Sequence, residues 1–234
     1  MAKTRTDTDS MARKNQKITL IGLTGGIGCG QSTVAGFLEK MGVKIINADQ
    51  VAKDVVDQDA NVREEIKQIF GNDVFYRNGK LNRKQLGSVV FVDDGKVQQL
   101  NRIVHPRMVE RIIDEIEETA DRGKHRYVAI DAALIYEIQL EHMFDVIIAV
   151  AARTRNRIER VQNRDGLPEN EIMNRIKKQI PIKDKIQWAD FVIHNNCTLE
   201  QLEIKTRKVF QQIDHSNAPA KPRYSRSRYS KKRR

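Results

Sequence analysis

Cysteine is scarce in this sequence, with two among 234 residues. Cys29 and Cys197 cannot build a disulfide framework, so a reducing, cytoplasmic compartment is expected. Long apolar runs are missing as well. Mean hydropathy is −0.59, and no stretch approaches the roughly 18 residues a membrane helix needs, so no membrane insertion is expected. Residues 1–17 are charged throughout and hold no apolar h-region, which argues against a secretory signal. The five histidines are scattered without zinc-type spacing. Acidic residues are absent from 217–234, where eight basic residues give +8; residues 1–17 carry +3, and residues 18–216 balance to zero. The pI of 9.7 therefore belongs to the two ends of the chain, and the net charge implies no basic groove on its body.

What is present suffices for a folded domain. With 39% hydrophobic and 31% charged residues, the chain can bury a sizeable core as one large domain or one domain with an insertion. Residues 17–22 form a short apolar run of the buried-strand kind. A glycine-rich turn follows, then a helical pattern over 32–41 that stops at Gly42, and a second strand over 43–46. Strand, helix and strand in about 30 residues make a βαβ unit. Residues 50–70 read as helix with a break near 57–60, and 72–79 as turns. Residues 83–92 and 97–118 read as helices, the second broken at His105-Pro106. Strands are expected over 127–131, 145–151 and 191–194, with helix over 153–178 interrupted at 165–168, and a closing helix over 199–213. Strands alternating with helices predict an α/β fold with a parallel sheet.

Gly25-Gly-Ile-Gly-Cys-Gly30-Gln31-Ser32 has the spacing of the phosphate-binding P-loop, G-x-x-x-x-G-K-[ST], except at one position. Glycines let successive backbone N–H groups turn inward as an anion nest, and the helix N-terminus behind the loop adds partial positive charge. The loop follows a strand and precedes a helix, as that chemistry requires. Gly25, Gly26, Gly28, Cys29, Gly30, Gln31, Ser32 and Thr33 are thus candidate nucleotide-binding residues, and the Ser32 hydroxyl is a candidate Mg²⁺ ligand. Gln31 stands where the motif has lysine. Its amide donates without a charge, and losing one preorganised electrostatic donor costs roughly 10²–10³ in rate. Lys53 either compensates or is a solvated helix lysine. Cys29 is read as a small filler, with redox control the sharper alternative.

From Ile18 to Asp214 the sequence resembles the dephospho-CoA kinase family. The resemblance is carried by Leu23-Thr-Gly-Gly-Ile-Gly28, Asn47-Ala-Asp49 with Val51-Ala-Lys53, and Gly79-Lys-Leu-Asn-Arg83. It continues through His105-Pro106, Ile130-Asp131 with Leu134-Ile-Tyr-Glu137, Arg160 with Arg164-Asp165, Gln179-Ile-Pro181, and Ala189-Asp190 with Ile193 and Asn195. It implies a P-loop kinase core over 18–216 with flanking helices, a helical acceptor-binding insertion over about 70–125 and a mobile lid over about 153–185. The implied reaction is ATP- and Mg²⁺-dependent phosphorylation of the ribose 3′-hydroxyl of dephospho-CoA, the last step of coenzyme A synthesis. By the same resemblance Asp49 is the base, with helix capping as its plain alternative. Arg160 and Arg164 are lid arginines that clamp the transferring phosphates, against a solvated basic face. Lys53 and His105 fall on the acceptor side, His105 alternatively marking only a helix boundary; Asp131, ending the third strand, stands where a metal- or acceptor-side carboxylate is expected, and Asn195 with Asn196 lies where the family contacts adenine. Three departures cluster near the chemistry: Gln31, Asn47 in place of an acidic residue, and Ala132 in place of a proline.

Residues 1–17 and 217–234 lack hydrophobic periodicity and are expected to be disordered basic arms. In the second, cations alternate with Tyr224, Tyr229 and serines, a composition suited to RNA or a ribonucleoprotein or, more simply, to solubility and anionic surfaces. Two functions accord with these features. One is an attenuated dephospho-CoA kinase; the other is a catalytically inactive nucleotide- or CoA-binding paralogue tethered to RNA by its tail.

Overall fold

The structure is a computed structural model that describes residues 18–90 and 92–215. The two expected basic arms lie outside the described residues. Five strands, β1 (Thr19–Gly25), β2 (Lys44–Asn47), β3 (Tyr127–Asp131), β4 (Val146–Ala151) and β5 (Phe191–His194), form one sheet in the order β2-β3-β1-β4-β5. The pairings of β1 with β3 and β4, and of β4 with β5, are parallel. The helices are α1 (Gln31–Lys40), α2 (Ala48–Gln58), α3 (Ala60–Phe70), α4 (Arg83–Val90), α5 (Asp94–Arg122), α6 (Thr154–Asp165), α7 (Glu169–Lys178), α8 (Ile182–Trp188) and α9 (Leu199–His215). The α/β architecture expected from the sequence is the one observed.

The central strands are apolar because helices cover both faces of a parallel sheet. Ile21, Leu23, Ala129, Ile148 and Val150 are fully buried, packed with Val34, Phe37 and Leu38 of α1 and Leu202 and Ile213 of α9. Strand starts are fixed by carboxylates: Asp145 accepts from Leu20 N at 2.9 Å, and Asp190 accepts from Ile147 N at 2.7 Å. The register pairs Leu23 of β1 with Asp131 of β3 and Gly25 with Val150 of β4. Asp131 and the first loop glycine therefore arrive together at the carboxyl edge of the sheet, where ligands bind in open α/β sheets.

The chain divides into two compact units, one holding 18–45 and 120–215 and the other 46–119. The second has its own core of Val55, Val56, Val62, Ile66, Val74, Leu86, Val90, Ile103 and Val104. The break near 57–60 is real: Asp59 caps α3, its carboxylate accepting from Asn61 N and Val62 N. The break expected at His105-Pro106 is not observed. α5 runs without interruption through Pro106 for 29 residues. Its buried residues Ile103, Val104, Met108 and Ile112 lie on both sides of the proline, so packing outweighs the missing N–H.

Candidate active site

The loop from Gly25 to Gly30 joins β1 to α1. Gly28 and Gly30 adopt φ of 75° and 87°, the left-handed region where glycine is at home. Space demands glycine too. A Cβ on Gly26 would come within 2.5 Å of Arg157 Nη2, and one on Gly28 within 2.5 Å of the Arg157 carbonyl oxygen. A Cβ on Gly30 would run into the Asn195 amide. Gly30 caps α1 without a side-chain hydrogen bond, so the first amides of the helix are left for a ligand. Ser32 and Thr33 are exposed at that end.

Around this open front the loop is held by its carbonyls. Asn195, 5% exposed, donates from Nδ2 to Cys29 O at 2.8 Å. Arg160 donates to Gly28 O at 3.3 Å and to Asn195 O at 3.0 Å. Arg157, 4% exposed, donates from Nε to Ile27 O at 2.8 Å, while Gln179 Oε1 accepts from Ile27 N at 2.9 Å. Lys185 is fully buried and donates to Gly25 O at 3.2 Å and Ala133 O at 2.6 Å, and pairs with Glu137 Oε1 at 2.7 Å. All three ammonium hydrogens are thereby used. The Lys185 pKa is lowered, chiefly by burial, although Glu137 pulls it up.

Gln31 does not face the open front. Its amide donates to Leu23 O at 2.8 Å and to the Asp131 carboxylate, so both of its hydrogens are committed inward. Asp131 is 7% exposed at the end of β3. Ala132, in place of proline, keeps an N–H that donates to Leu23 O at 3.0 Å. Cys29 is fully buried within the hydrophobic cluster and is a free thiol.

The sequence candidates separate as follows. Gly25 to Thr33, Asp131, Arg160 and Asn195 come together around the loop. Arg164 does not join them: it is exposed and paired bidentately with its neighbour Asp165, at 2.7 and 2.8 Å. That pairing raises the Arg164 pKa and lowers that of Asp165. Asn195 is spent on the loop and on Arg160, and Asn196 Oδ1 accepts from Arg153 N at 2.8 Å. Asp49, Lys53 and His105 belong to the second unit. There Asn47, not Asp49, caps α2, accepting from Gln50 N at 2.8 Å. This removes the capping alternative for Asp49, whose carboxylate is exposed in the first helical turn. Lys53 lies one turn further on and is exposed. His105 is half-buried, and burial lowers its pKa.

Arg157, Gln179 and Lys185 carry no site role in the sequence reading. Arg157 precedes Arg160 by three residues on the same helix face, but Arg164 follows Arg160 by four on that face too, so the spacing does not tell the buried arginine from the exposed one. Lys185 lies on α8, a seven-residue helix that also carries Lys183, and nothing local sets the one lysine apart from the other.

A glycine loop between the central strand of a parallel sheet and an uncapped helix defines a P-loop kinase-type protein. The dephospho-CoA kinase family model matches residues 19–201. The dephospho-CoA kinase of Bacillus licheniformis is 37% identical over 190 residues, covering 81% of this chain and 94% of that protein. That of Corynebacterium glutamicum is 36% identical over 193 residues, covering 82% and 96%. Among solved structures, TT1252 from Thermus thermophilus superposes with a TM-score of 0.73 at 30% identity, over 84% of this chain and 98% of that one. Dephospho-CoA kinase from Campylobacter jejuni gives 0.57 at 26% identity, over 83% and 97%. The chain belongs to the dephospho-CoA kinase family and is a phosphotransferase. These relatives lend no support to the inactive, binding-only alternative.

Proposed function

We propose that this protein transfers the γ-phosphoryl group of Mg²⁺-ATP to the ribose 3′-hydroxyl of dephospho-CoA, completing coenzyme A. The observation that carries this reading is the glycine loop: its carbonyls are tied back by Asn195, Arg160, Arg157 and Lys185, while the N-terminus of α1 faces outward uncapped. Such a loop holds polyphosphate through backbone amides, and Gln31 need not contribute. The exposed Ser32 hydroxyl fits a Mg²⁺ site that draws its other ligands from the nucleotide and water. Bound Mg²⁺-ATP supplies the phosphoryl group and neutralises charge during its transfer.

The chain's own residues position and activate. Asp49 takes the proton from the acceptor hydroxyl. Asp131 fixes the carboxyl edge of β3 on the acceptor side, with Lys53 and His105 as further acceptor contacts. Arg160 holds the loop closed around the phosphates, and the segment over about 153–185 is the lid that carries it, Arg164 included. The insertion over about 70–125 binds the acceptor. A cytoplasmic setting accords with Cys29 and Cys197 both being free thiols. The final 18 residues, with +8, supply an RNA-binding adjunct.

The test is product formation from purified protein, ATP, Mg²⁺ and dephospho-CoA. Wild type should yield coenzyme A, and Asp49→Asn should lower turnover by about 10²–10⁴, the range for a positioned base. An Asp49→Asn variant as fast as wild type would remove Asp49 from the mechanism.

A further inference from the structure

Two buried cations flank the first half of the glycine loop, and they are treated differently. Lys185 has a carboxylate partner in Glu137. Arg157 has none: among the described residues its guanidinium makes one hydrogen bond, from Nε to Ile27 O, and no ion pair. It is nonetheless 4% exposed and lies close enough to Lys185 to lower that lysine's pKa. A buried charge without a counter-charge is costly. Such a cation is retained when an anion arrives later.

We propose that Arg157 is the phosphate-directed cation of this chain, meeting the γ-phosphoryl group in the role for which Gln31 carries no charge. The inference deepens the phosphotransfer reading and rests on it. Nε is anchored on Ile27 O, which fixes the guanidinium plane, and Nη2 occupies the space over Gly26 that a Cβ would fill. The Nη groups make no hydrogen bond to the described residues, and their fork matches phosphate oxygens. Gln31 cannot compete, since both amide hydrogens are held by Leu23 O and Asp131. The charge missing from the motif has therefore moved to α6, and it reaches the loop from the opposite direction along the chain.

The full-length protein and the variants Arg157→Gln, Arg157→Met, Gln31→Lys and the Gln31→Lys/Arg157→Gln double variant test this. Turnover and melting temperature are measured, the latter without nucleotide, with ADP and with ATP. Arg157→Gln should lower kcat by about 10²–10³, the scale of one electrostatic donor, with the KM for dephospho-CoA little changed. Adding Gln31→Lys to that variant should recover about tenfold or more, whereas Gln31→Lys alone should change turnover far less. Unliganded Arg157→Met should melt at or above wild type, because an unpaired buried charge has been removed. Its ATP-induced rise in melting temperature should shrink, and more than the ADP-induced rise. The proposal is overturned if Arg157→Gln turns over like wild type. It is also overturned if Gln31→Lys acts by the same factor in both backgrounds, or if Arg157→Met melts low with its ATP response intact. Should wild type form no coenzyme A at all, the phosphotransfer reading fails, and the ATP-against-ADP comparison still decides on Arg157.

Discussion

Lys185 and Arg157 stand on either side of the same glycines, both buried and both bonded to a loop carbonyl. One is saturated. Its three hydrogens go to Gly25 O, Ala133 O and Glu137, so it clamps the end of β1 to the segment after β3. The other keeps most of its donors in reserve. A buried cation with every donor spent is a fastener, and one with donors unspent is a receptor. Residue type and burial alone do not distinguish the two.

The sharpest way to break the comparison is to delete each cation in turn and measure urea unfolding. Lys185→Met takes the counter-charge from the Glu137 carboxylate, 16% exposed, and leaves its Oε1 the hydrogen bond from Ile180 N at 3.1 Å; the loss should cost about 3–5 kcal/mol. Arg157→Met should fall far short of that loss. Equal losses would erase the distinction.

A smaller effect is expected from the glycines. Gly28→Ala forces a side chain into the left-handed region and onto the Arg157 backbone, and should cost about 1–3 kcal/mol together with nucleotide binding. Gly36→Ala, inside α1 with nothing within 4 Å of the added Cβ, should instead stabilise by about 0.5–1 kcal/mol. Paired melting curves and nucleotide titrations separate them.

The smallest effect is a slope. Lys185 has a folded pKa below its ordinary value of 10.5, chiefly through burial. Between the two values the unfolded chain holds more protons than the native one, so this lysine's contribution makes stability rise with pH, up to 10.5. Stability measured across the alkaline range should therefore decline less steeply in wild type than in Lys185→Met. The reverse order would mean that Glu137 dominates and the folded pKa is raised.

The loop itself was legible because its function is written in backbone: glycine spacing, a strand before and a helix after survive in the linear text. The sheet was legible for a similar reason, since strands buried on both faces are plain apolar runs. What escaped depends on distant partners. Nothing local to α6 says that Arg157 is buried and Arg164 exposed, because the difference is made by a loop about 130 residues away. Pro106 read as a break because local rules see a missing N–H and not the apolar residues either side of it. Asn47 read as a lost charge, and it also caps α2.

The two outermost strands, β2 and β5, are each four residues long, against seven for β1 at the centre. An exposed strand edge is a template on which another chain can pair, and its danger grows with its length. The longest strand of this sheet, the one that delivers the glycine loop, has a neighbour on each side and offers no such edge. The sheet therefore tapers, and a second molecule finds only short stretches of backbone on which to begin an aggregate.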